Sequence, residues 1–179
     1  MNLANKLTIL RVIMIPVFLL LLLTSWIPDP QKRIISVTIF ALASLTDYLD
    51  GYIARKYNMV TNFGKFMDPL ADKLLVTSAL ISLVELGDLS AWIAIIIISR
   101  EFIITGFRLV AASDGIVIAA SWWGKIKTFS QMLMIIVLLL NLNNIIFYYL
   151  EYILIGAVVV FTLVSCIDYI AKNKEVLKQ

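Results

Sequence analysis

The chain is organised by long stretches that contain no charged residue. Three of these stretches approach the roughly 20 apolar residues that a helix needs to cross a bilayer. They comprise residues 12–28, 128–150 and 152–167. Three further stretches are shorter, and each becomes long enough only if its helix continues into an adjoining charged segment. These comprise residues 34–46, 74–84 and 89–99. The pattern therefore predicts six membrane helices, three of which carry polar residues at one end.

Turn-forming residues separate the predicted helices. The predicted connections are residues 26–30, 56–66, 86–90, 111–124 and 141–144. Lys6 and Arg11 before an apolar run are also typical of a secretory signal. No small-residue cleavage site follows at 24–28, so we expect a retained first helix. The predicted fold is all-α: one membrane domain over residues 1–179, built as a bundle of six transmembrane helices around a polar cavity that faces the cytoplasm.

The composition supports a membrane environment and narrows the possible chemistry. Of the residues, 61% are hydrophobic and 15% are charged, and the mean hydropathy is +0.96. Soluble domains have about 45–50% apolar and about 25% charged residues. The chain has no histidine and a single cysteine, Cys166. Histidine-based triads, histidine- or cysteine-ligated zinc and an intrachain disulfide are therefore excluded.

The basic residues indicate how the helices are oriented. With six spans both termini lie on one side, and of the 15 lysines and arginines only Lys32 and Arg33 fall on the other. Positive charge collects on the cytoplasmic side of membrane proteins. We therefore expect a multi-pass protein of the cell membrane with both termini in the cytoplasm, surrounded by membrane lipids and without a nucleic-acid partner.

Four aspartates gather at the cytoplasmic ends of predicted helices two and three. Residues three or four apart share a helix face, so Asp47 pairs with Asp50, and Asp68 pairs with Asp72. Each buried carboxylate costs about 2.5–3.5 kcal/mol, and the four repel one another. Two divalent cations, Mg²⁺ or Mn²⁺, would relieve both penalties and suit all-oxygen ligation. The alternative is that these aspartates cap helices or pair with cations at the headgroups.

Small residues and one arginine accompany the aspartates. Gly51, Ala54 and Gly64 would let a ligand approach the backbone, and Arg55 can bind phosphate with two hydrogen bonds. The resulting pattern, DxxDGxxAR followed after eight residues by GxxxDxxxD, spans residues 47–72. It resembles the signature of the CDP-alcohol phosphotransferases at every specified position.

The resemblance implies an integral membrane enzyme that joins an alcohol to a phosphoryl group of a CDP-linked donor and releases CMP. It also implies six transmembrane helices, a homodimer and a site for two metal ions. By position, Asp47, Asp50 and Asp68 resemble metal ligands, and Asp72 resembles both a metal ligand and the general base. The contacts to the nucleotide implied by the resemblance are Gly51, Ala54, Arg55 and Gly64.

Polar residues elsewhere suggest how the substrates bind. Asn5, Thr8 and Arg11 follow at steps of three residues, so they share one face of the first helix. We assign Asn5 and Thr8 to the donor and Arg11 to an acceptor phosphate. The alternative is an interfacial helix start with snorkelling cations.

Four more cations are candidates for binding an acceptor phosphate: Arg100, Arg108, Lys125 and Lys127. Arg100 and Arg108 lie within about 80° on one helix face, and an arginine that faces lipid is costly. Glu101 is a candidate partner for one of the arginines. Lys125 and Lys127 are also explained by the positive-inside rule alone.

The downstream residues bear on the choice of acceptor. The pattern from SRE at 99–101 through GKxKT at 124–128, with Gln131 and Met132 just after, is similar to family members that transfer from CDP-diacylglycerol to glycerol 3-phosphate. An inositol-phosphate acceptor fits the same charge, whereas a serine acceptor fits the excess of cations poorly. Two other classes of protein remain as alternatives: a small cation transporter and a structural membrane scaffold.

Overall fold

The computed structural model describes the backbone of residues 3–56, 62–113, 118 and 121–174. It also describes their side chains, except at 3–4, 47–56, 62–66, 68–69 and 113. Within these residues the chain forms six α-helices and no strand. They are α1 (Leu3–Leu23), α2 (Asp29–Lys56), α3 (Asn62–Glu85), α4 (Ala91–Ser113), α5 (Trp122–Leu140) and α6 (Ile145–Lys172). The all-helical fold predicted from the sequence is therefore confirmed for the described residues.

The helices pack into two compact units, and the first is built from α1, α2 and α3. α1 contacts both α2 and α3 along a stripe that includes Ile15, Phe18 and Leu22. The Phe18 ring lies 6.2 Å from that of Phe40 on α2, measured between centroids. Fully buried alanines, among them Ala43 on α2, let the backbones approach closely, as is usual for helices packed in membranes.

The second unit contains α4, most of α5, and α6. α4 packs against α6. The buried positions of α6 recur every three or four residues, which is the spacing of one helix face. They are Leu154, Val158, Thr162, Ser165 and Tyr169. This stripe changes along the helix from aliphatic to polar side chains, so the C-terminal half of α6 presents hydroxyl groups to the interior of the unit.

Several helix boundaries differ from the sequence-based prediction, and α3 and α5 begin inside predicted connections, at Asn62 and Trp122. α5 ends at Leu140, although the charge-free run continues to residue 150. Asn141 has a left-handed backbone with a φ of 42°, and Asn144 caps α6 by accepting a hydrogen bond from the Ile146 amide. The turn predicted at 141–144 is thus confirmed. α1 begins at Leu3 and ends at Leu23. The charge-free run continues to residue 28, so the last part of that run lies after the helix, in the following turn.

Three described helices are long and apolar enough to cross a membrane, and each overlaps one of the three long charge-free runs. They are Asn5–Leu23, Trp122–Leu140 and Ile145–Lys172. Large apolar side chains on these helices are exposed, for example Leu20 at 60% and Ile167 at 69%. Polar side chains such as Arg11 and Lys127 are fully buried. This inside-out distribution is that of a protein solvated by lipid, and the chain is therefore a membrane protein.

An ion-pair cluster holds the α3–α4 turn to the start of α2. Arg33 donates from Nη1 to Asp88 at 2.7 Å and from Nε to Asp29 at 3.0 Å. The hydrogen bond from Lys32, together with the hydrogen bond from Arg33 and the charges of both residues, keeps the pKa of Asp29 below its ordinary value and outweighs the opposing effect of desolvation. Gly87, in the same turn, has a φ of +79°, a conformation that side chains oppose.

Candidate active site

The aspartate signature lies on two neighbouring helices of the first unit. The backbone is helical through residues 47–56 at the end of α2 and from 62 through 72 in α3. Positions 47 and 50 therefore share one face of α2, and positions 68 and 72 share one face of α3. Because α2 and α3 pack against each other, the fold brings the two halves of the signature onto adjacent elements.

The described side chains cover only part of the signature. Asp72 is half-buried. The other predicted site residues of the signature have side chains outside the described set: Asp47, Asp50, Gly51, Ala54, Arg55, Gly64 and Asp68. Among the side chains that are described, no three of His, Cys, Asp and Glu form a group that could hold a metal. The residue types of the signature fit a hard cation, because its two pairs of aspartates offer only oxygen atoms as ligands.

The polar face of α1 is buried in the first unit. Asn5, Thr8 and Arg11 are 8%, 1% and 0% exposed, and they continue the apolar stripe that packs on α2 and α3. Arg11 donates from Nε to the carbonyl oxygen of Ala43 at 3.2 Å. Ala43 precedes Asp47 by one helical turn. The structure thus directs this arginine to the part of α2 that leads into the signature.

A second polar cluster joins α4 and α5 in the second unit. Lys127 is fully buried and donates from Nζ to Oε1 of Glu101. The Nη1 atom of Arg100 lies 3.9 Å from the same oxygen. The expected pairing of Glu101 with an arginine is therefore present, but the closer partner is a lysine. Since a carboxylate offsets the charge of Lys127, this residue contributes less net positive charge than the sequence suggested.

Two polar atoms in this cluster have no partner within the described part of the chain. Gln131, one turn after Lys127, is 3% exposed, and its Oε1 atom accepts no hydrogen bond there. The Nε atom of Arg100 is likewise buried and unpartnered. Gly124 lies beside the same arginine, since a Cβ at that position would be 3.7 Å from Nη2 of Arg100. Buried polar groups usually have partners, so each of these two atoms is a candidate contact for a polar ligand.

Arg108 lies towards the end of α4 and is exposed. Its Nε atom donates to the Tyr169 hydroxyl oxygen at 3.1 Å, and its Nη2 atom donates to the Ile118 carbonyl at 3.4 Å. Lys125 is exposed on α5. Of the four downstream cations, the structure thus brings Arg100 and Lys127 together at Glu101, whereas Arg108 is directed to Tyr169 of α6.

Sequence reasoning missed the contribution of Tyr169 and the buried state of Gln131. Both continue a buried stripe at helical spacing: Tyr169 after Thr162 and Ser165, and Gln131 after Lys127. A polar residue on the buried face of an apolar helix is costly without a partner, so this spacing was the available signal.

Comparisons with known proteins find similarity along nearly the whole chain and not only at the signature. The sequence profile of the CDP-alcohol phosphatidyltransferase family matches residues 1–164. The CDP-diacylglycerol–glycerol-3-phosphate 3-phosphatidyltransferase of Bacillus subtilis is 46% identical, over 99% of this chain and 97% of its own length. The enzyme of that name in Haemophilus influenzae is 42% identical, over 97% of this chain and 94% of its own.

A third relative has a related name. The probable phosphatidylglycerophosphate synthase of Mycobacterium tuberculosis is 43% identical, over 96% of this chain and 81% of its own length. The family profile covers far more than half of the chain, and these similarities extend through both units. Together with the signature on α2 and α3, they show that this chain belongs to the CDP-alcohol phosphatidyltransferase family.

Proposed function

We propose that this chain transfers the phosphatidyl group of CDP-diacylglycerol to glycerol 3-phosphate and produces phosphatidylglycerophosphate and CMP. The observation that carries the proposal is the match to relatives named for this reaction, at 42–46% identity over nearly the whole chain. The signature at 47–72 supplies the residues for the chemistry. We take residues 1–179 as one membrane domain, because the family profile runs through both units.

All six helices cross the membrane in this proposal, with both termini and the active site on the cytoplasmic side. α2, α3 and α4 contain 28, 24 and 23 residues. At 1.5 Å per residue, such helices exceed the roughly 30 Å of a hydrocarbon core. The charged residues of α2 lie towards its ends, where side chains reach the headgroups. Asp72 on α3 and Arg100 and Glu101 on α4 lie near the middle of their helices, so the proposal turns them away from lipid. The distribution of lysine and arginine supports the orientation.

The aspartates are proposed to hold two divalent cations, Mg²⁺ or Mn²⁺. Asp47, Asp50 and Asp68 serve as ligands, and Asp72 serves as a ligand and as the base. The cations would supply positive charge to the pyrophosphate oxygens of the donor. The support is the all-oxygen donor set on two packed helices and the cost of leaving four carboxylates uncompensated.

The transfer is a substitution at phosphorus. Asp72 takes the proton of the acceptor hydroxyl, and the resulting alkoxide forms a bond to the phosphorus that carries diacylglycerol. The bond between this phosphorus and the bridging pyrophosphate oxygen breaks, and CMP leaves with the bonding electrons. A carboxylate suits the role of base in a chain without histidine. The remaining contribution of the protein is to position the two substrates.

The donor nucleotide is proposed to contact the small residues and the arginine of the signature. These are Gly51, Ala54, Arg55 and Gly64. Asn5 and Thr8 contribute from the buried face of α1. Arg11 shares that face, and its bond to Ala43 fixes α1 against α2 beside the signature. We therefore give Arg11 a smaller part in binding the acceptor than the sequence alone suggested.

The phosphate of glycerol 3-phosphate is proposed to bind to the cations of the second unit. Arg108 is the strongest candidate because it is exposed and its guanidinium has N–H groups beyond those that contact Tyr169 and Ile118. Arg100 contributes a second guanidinium, whose Nε atom has no partner among the described residues. Lys125 adds long-range attraction, and Lys127 acts together with Glu101. The homodimer is proposed on the family resemblance.

One assay tests the proposal directly. Purified protein receives Mg²⁺ or Mn²⁺, CDP-diacylglycerol and one acceptor at a time, and CMP release is measured. Glycerol 3-phosphate should support turnover, whereas serine should not. Release of CMP with inositol phosphate alone would overturn the assignment of the acceptor. Absence of CMP with every acceptor would overturn the proposed enzyme and favour a transporter or scaffold.

A further inference from the structure

Arg108 has two anchors in the second unit. Its Nε atom donates to the hydroxyl oxygen of Tyr169 on α6 at 3.1 Å, and its Cζ atom lies 5.9 Å from the centre of the Tyr169 ring. Its Nη2 atom reaches the carbonyl oxygen of Ile118, between α4 and α5, at 3.4 Å. The guanidinium therefore bridges α4, α6 and the connection before α5, although its own side chain is exposed.

Tyr169 is held more firmly than the arginine that it contacts. It is 3% exposed and belongs to the buried stripe of α6. Its ring packs edge to face against Phe107 of α4, with centroids 5.8 Å apart and planes at 79°. This aromatic contact orients the ring, and with it the hydroxyl oxygen. The flexible Arg108 side chain thus donates to a fixed hydroxyl oxygen, and the position of that oxygen sets the orientation of the guanidinium.

The two anchors use one edge of the guanidinium. Arginine has five N–H groups in a planar fork, and the Tyr169 and Ile118 contacts use the Nε hydrogen and one hydrogen on Nη2. The outer edge, formed by Nη1 and the second hydrogen on Nη2, makes no hydrogen bond to the described residues. Two parallel N–H groups on that edge match two oxygens of a phosphate. The anchors therefore select which edge an anion meets.

We propose that Tyr169 is a positioning residue for the acceptor phosphate and acts by orienting Arg108. The inference rests on the proposed function, because it takes Arg108 as a ligand of glycerol 3-phosphate. An arginine that samples many rotamers loses conformational entropy when it binds an anion. The hydrogen bond from Tyr169 removes part of that loss before the acceptor arrives. Tyr169 should therefore strengthen binding of the acceptor and not binding of the lipid donor.

The test uses Tyr169→Phe, which keeps the ring and its contact with Phe107 and removes only the hydroxyl. We expect the KM for glycerol 3-phosphate to rise about threefold to tenfold, the contribution of one orienting hydrogen bond. The KM for CDP-diacylglycerol and kcat should stay unchanged. Tyr152→Phe is the matched control, because that hydroxyl lies on the same helix and contacts only the Tyr148 hydroxyl, at 3.5 Å, among the described residues.

A double-mutant cycle separates positioning from a structural role. If Tyr169 acts through Arg108, the double variant Tyr169→Phe with Arg108→Ala should have the acceptor KM of Arg108→Ala alone. A KM change that adds to that of Arg108→Ala would overturn the inference. So would a Tyr169→Phe enzyme that unfolds at a lower temperature but keeps the wild-type KM for glycerol 3-phosphate.

The outcomes also separate this inference from the proposed function. A Tyr169→Phe enzyme with wild-type kinetics, beside an Arg108→Ala enzyme with a raised acceptor KM, would overturn the role of Tyr169 and leave the acceptor site intact. An unchanged acceptor KM in Arg108→Ala would overturn both the acceptor site and the inference. Absence of CMP release from the wild-type protein would overturn the proposed reaction itself.

Discussion

The ammonium group of Lys127 on α5 pairs with the carboxylate of Glu101 on α4. The lysine side chain is fully buried, while that of Glu101 is 24% exposed. Arg100 also lies near the carboxylate, with its Nη1 atom at 3.9 Å. Glu101 therefore pairs with one buried lysine and neighbours a largely buried arginine, so its loss affects two positive charges.

Glu101→Gln should destabilise the protein by about 1–3 kcal/mol, because it removes the carboxylate that pairs with the buried Lys127 ammonium. The unfolding midpoint in detergent should fall by roughly 2–12 °C. The exposed Glu85 provides the control variant Glu85→Gln, which should keep the wild-type midpoint. Adding Lys127→Met to Glu101→Gln should recover part of the loss. A wild-type midpoint for Glu101→Gln would contradict the importance of this pair.

Asp72→Asn should abolish turnover, with a loss of about a hundredfold to ten-thousandfold, because asparagine has the same shape but cannot take the proton. The measurements are CMP release and equilibrium binding of CDP-diacylglycerol, which should persist. Asp168→Asn is the control, since Asp168 lies on α6 and pairs with Lys172 at 2.7 Å. Turnover at the wild-type rate would remove Asp72 from the role of base.

Arg108→Ala should raise the KM for glycerol 3-phosphate by about tenfold or more, since charged hydrogen bonds to a phosphate are lost. The KM for CDP-diacylglycerol should change much less. Lys32→Ala tests whether any lost positive charge has this effect, because Lys32 pairs with Asp29 at the start of α2. If both variants raise the acceptor KM equally, the specific site at Arg108 is wrong.

Mg²⁺ or Mn²⁺ should raise the unfolding midpoint of the wild-type protein, because a ligand that binds only the folded state stabilises it. Asp68→Asn should reduce this shift, and a chelator should remove both the shift and CMP release. Asp88→Asn, in the α3–α4 turn, provides a matched loss of charge that should leave the metal-dependent shift intact. The same shift in Asp68→Asn as in the wild type would contradict its assignment as a ligand.

The Arg33–Asp88 pair should support stability without affecting catalysis. Asp88→Asn removes the charged partner at 2.7 Å from an arginine that is 6% exposed. We expect a loss of about 1–3 kcal/mol in unfolding free energy, with both KM values and kcat unchanged. Thermal unfolding and CMP release measure the two effects. A changed acceptor KM would show that this cluster communicates with the reaction.

Acidification should weaken the same cluster. Lys32, followed by Arg33, keeps the pKa of Asp29 below its unfolded value, so the contribution of Asp29 is complete above that value. It is lost as the pH falls through the lower pKa of the folded state. Asp29→Asn should therefore flatten the acid side of the stability profile, measured as unfolding midpoint against pH. An unchanged slope would contradict the contribution of Asp29.

The charge-free runs and the turn residues were enough to predict the helices, because both are local signals. Residues 86–90 and 141–144 were predicted as turns and are turns. The end of α5 was harder to locate from the charge-free run alone, since Leu142 and the asparagines around it carry no charge. The left-handed backbone at Asn141 ends the helix there, and the residue types of the charge-free run do not predict this φ.

Pairing between distant side chains could not be read from the pattern. The choice of Lys127 over Arg100 as the closer partner of Glu101 depends on how α4 and α5 are rotated. The contact between Arg108 and Tyr169 joins residues 61 positions apart. The roles of the aspartates in the signature remain predictions, since the side chains of Asp47, Asp50 and Asp68 lie outside the described residues.

The buried stripe of α1 restricts how this helix can change in length. Asn5, Thr8 and Arg11 lie in register with Ile15 and the apolar residues after it. A single residue inserted between Arg11 and Ile15 would rotate the two halves by about 100° relative to each other. Either the guanidinium or the aliphatic half would then turn towards the acyl chains. Insertions should therefore not be tolerated within this part of α1.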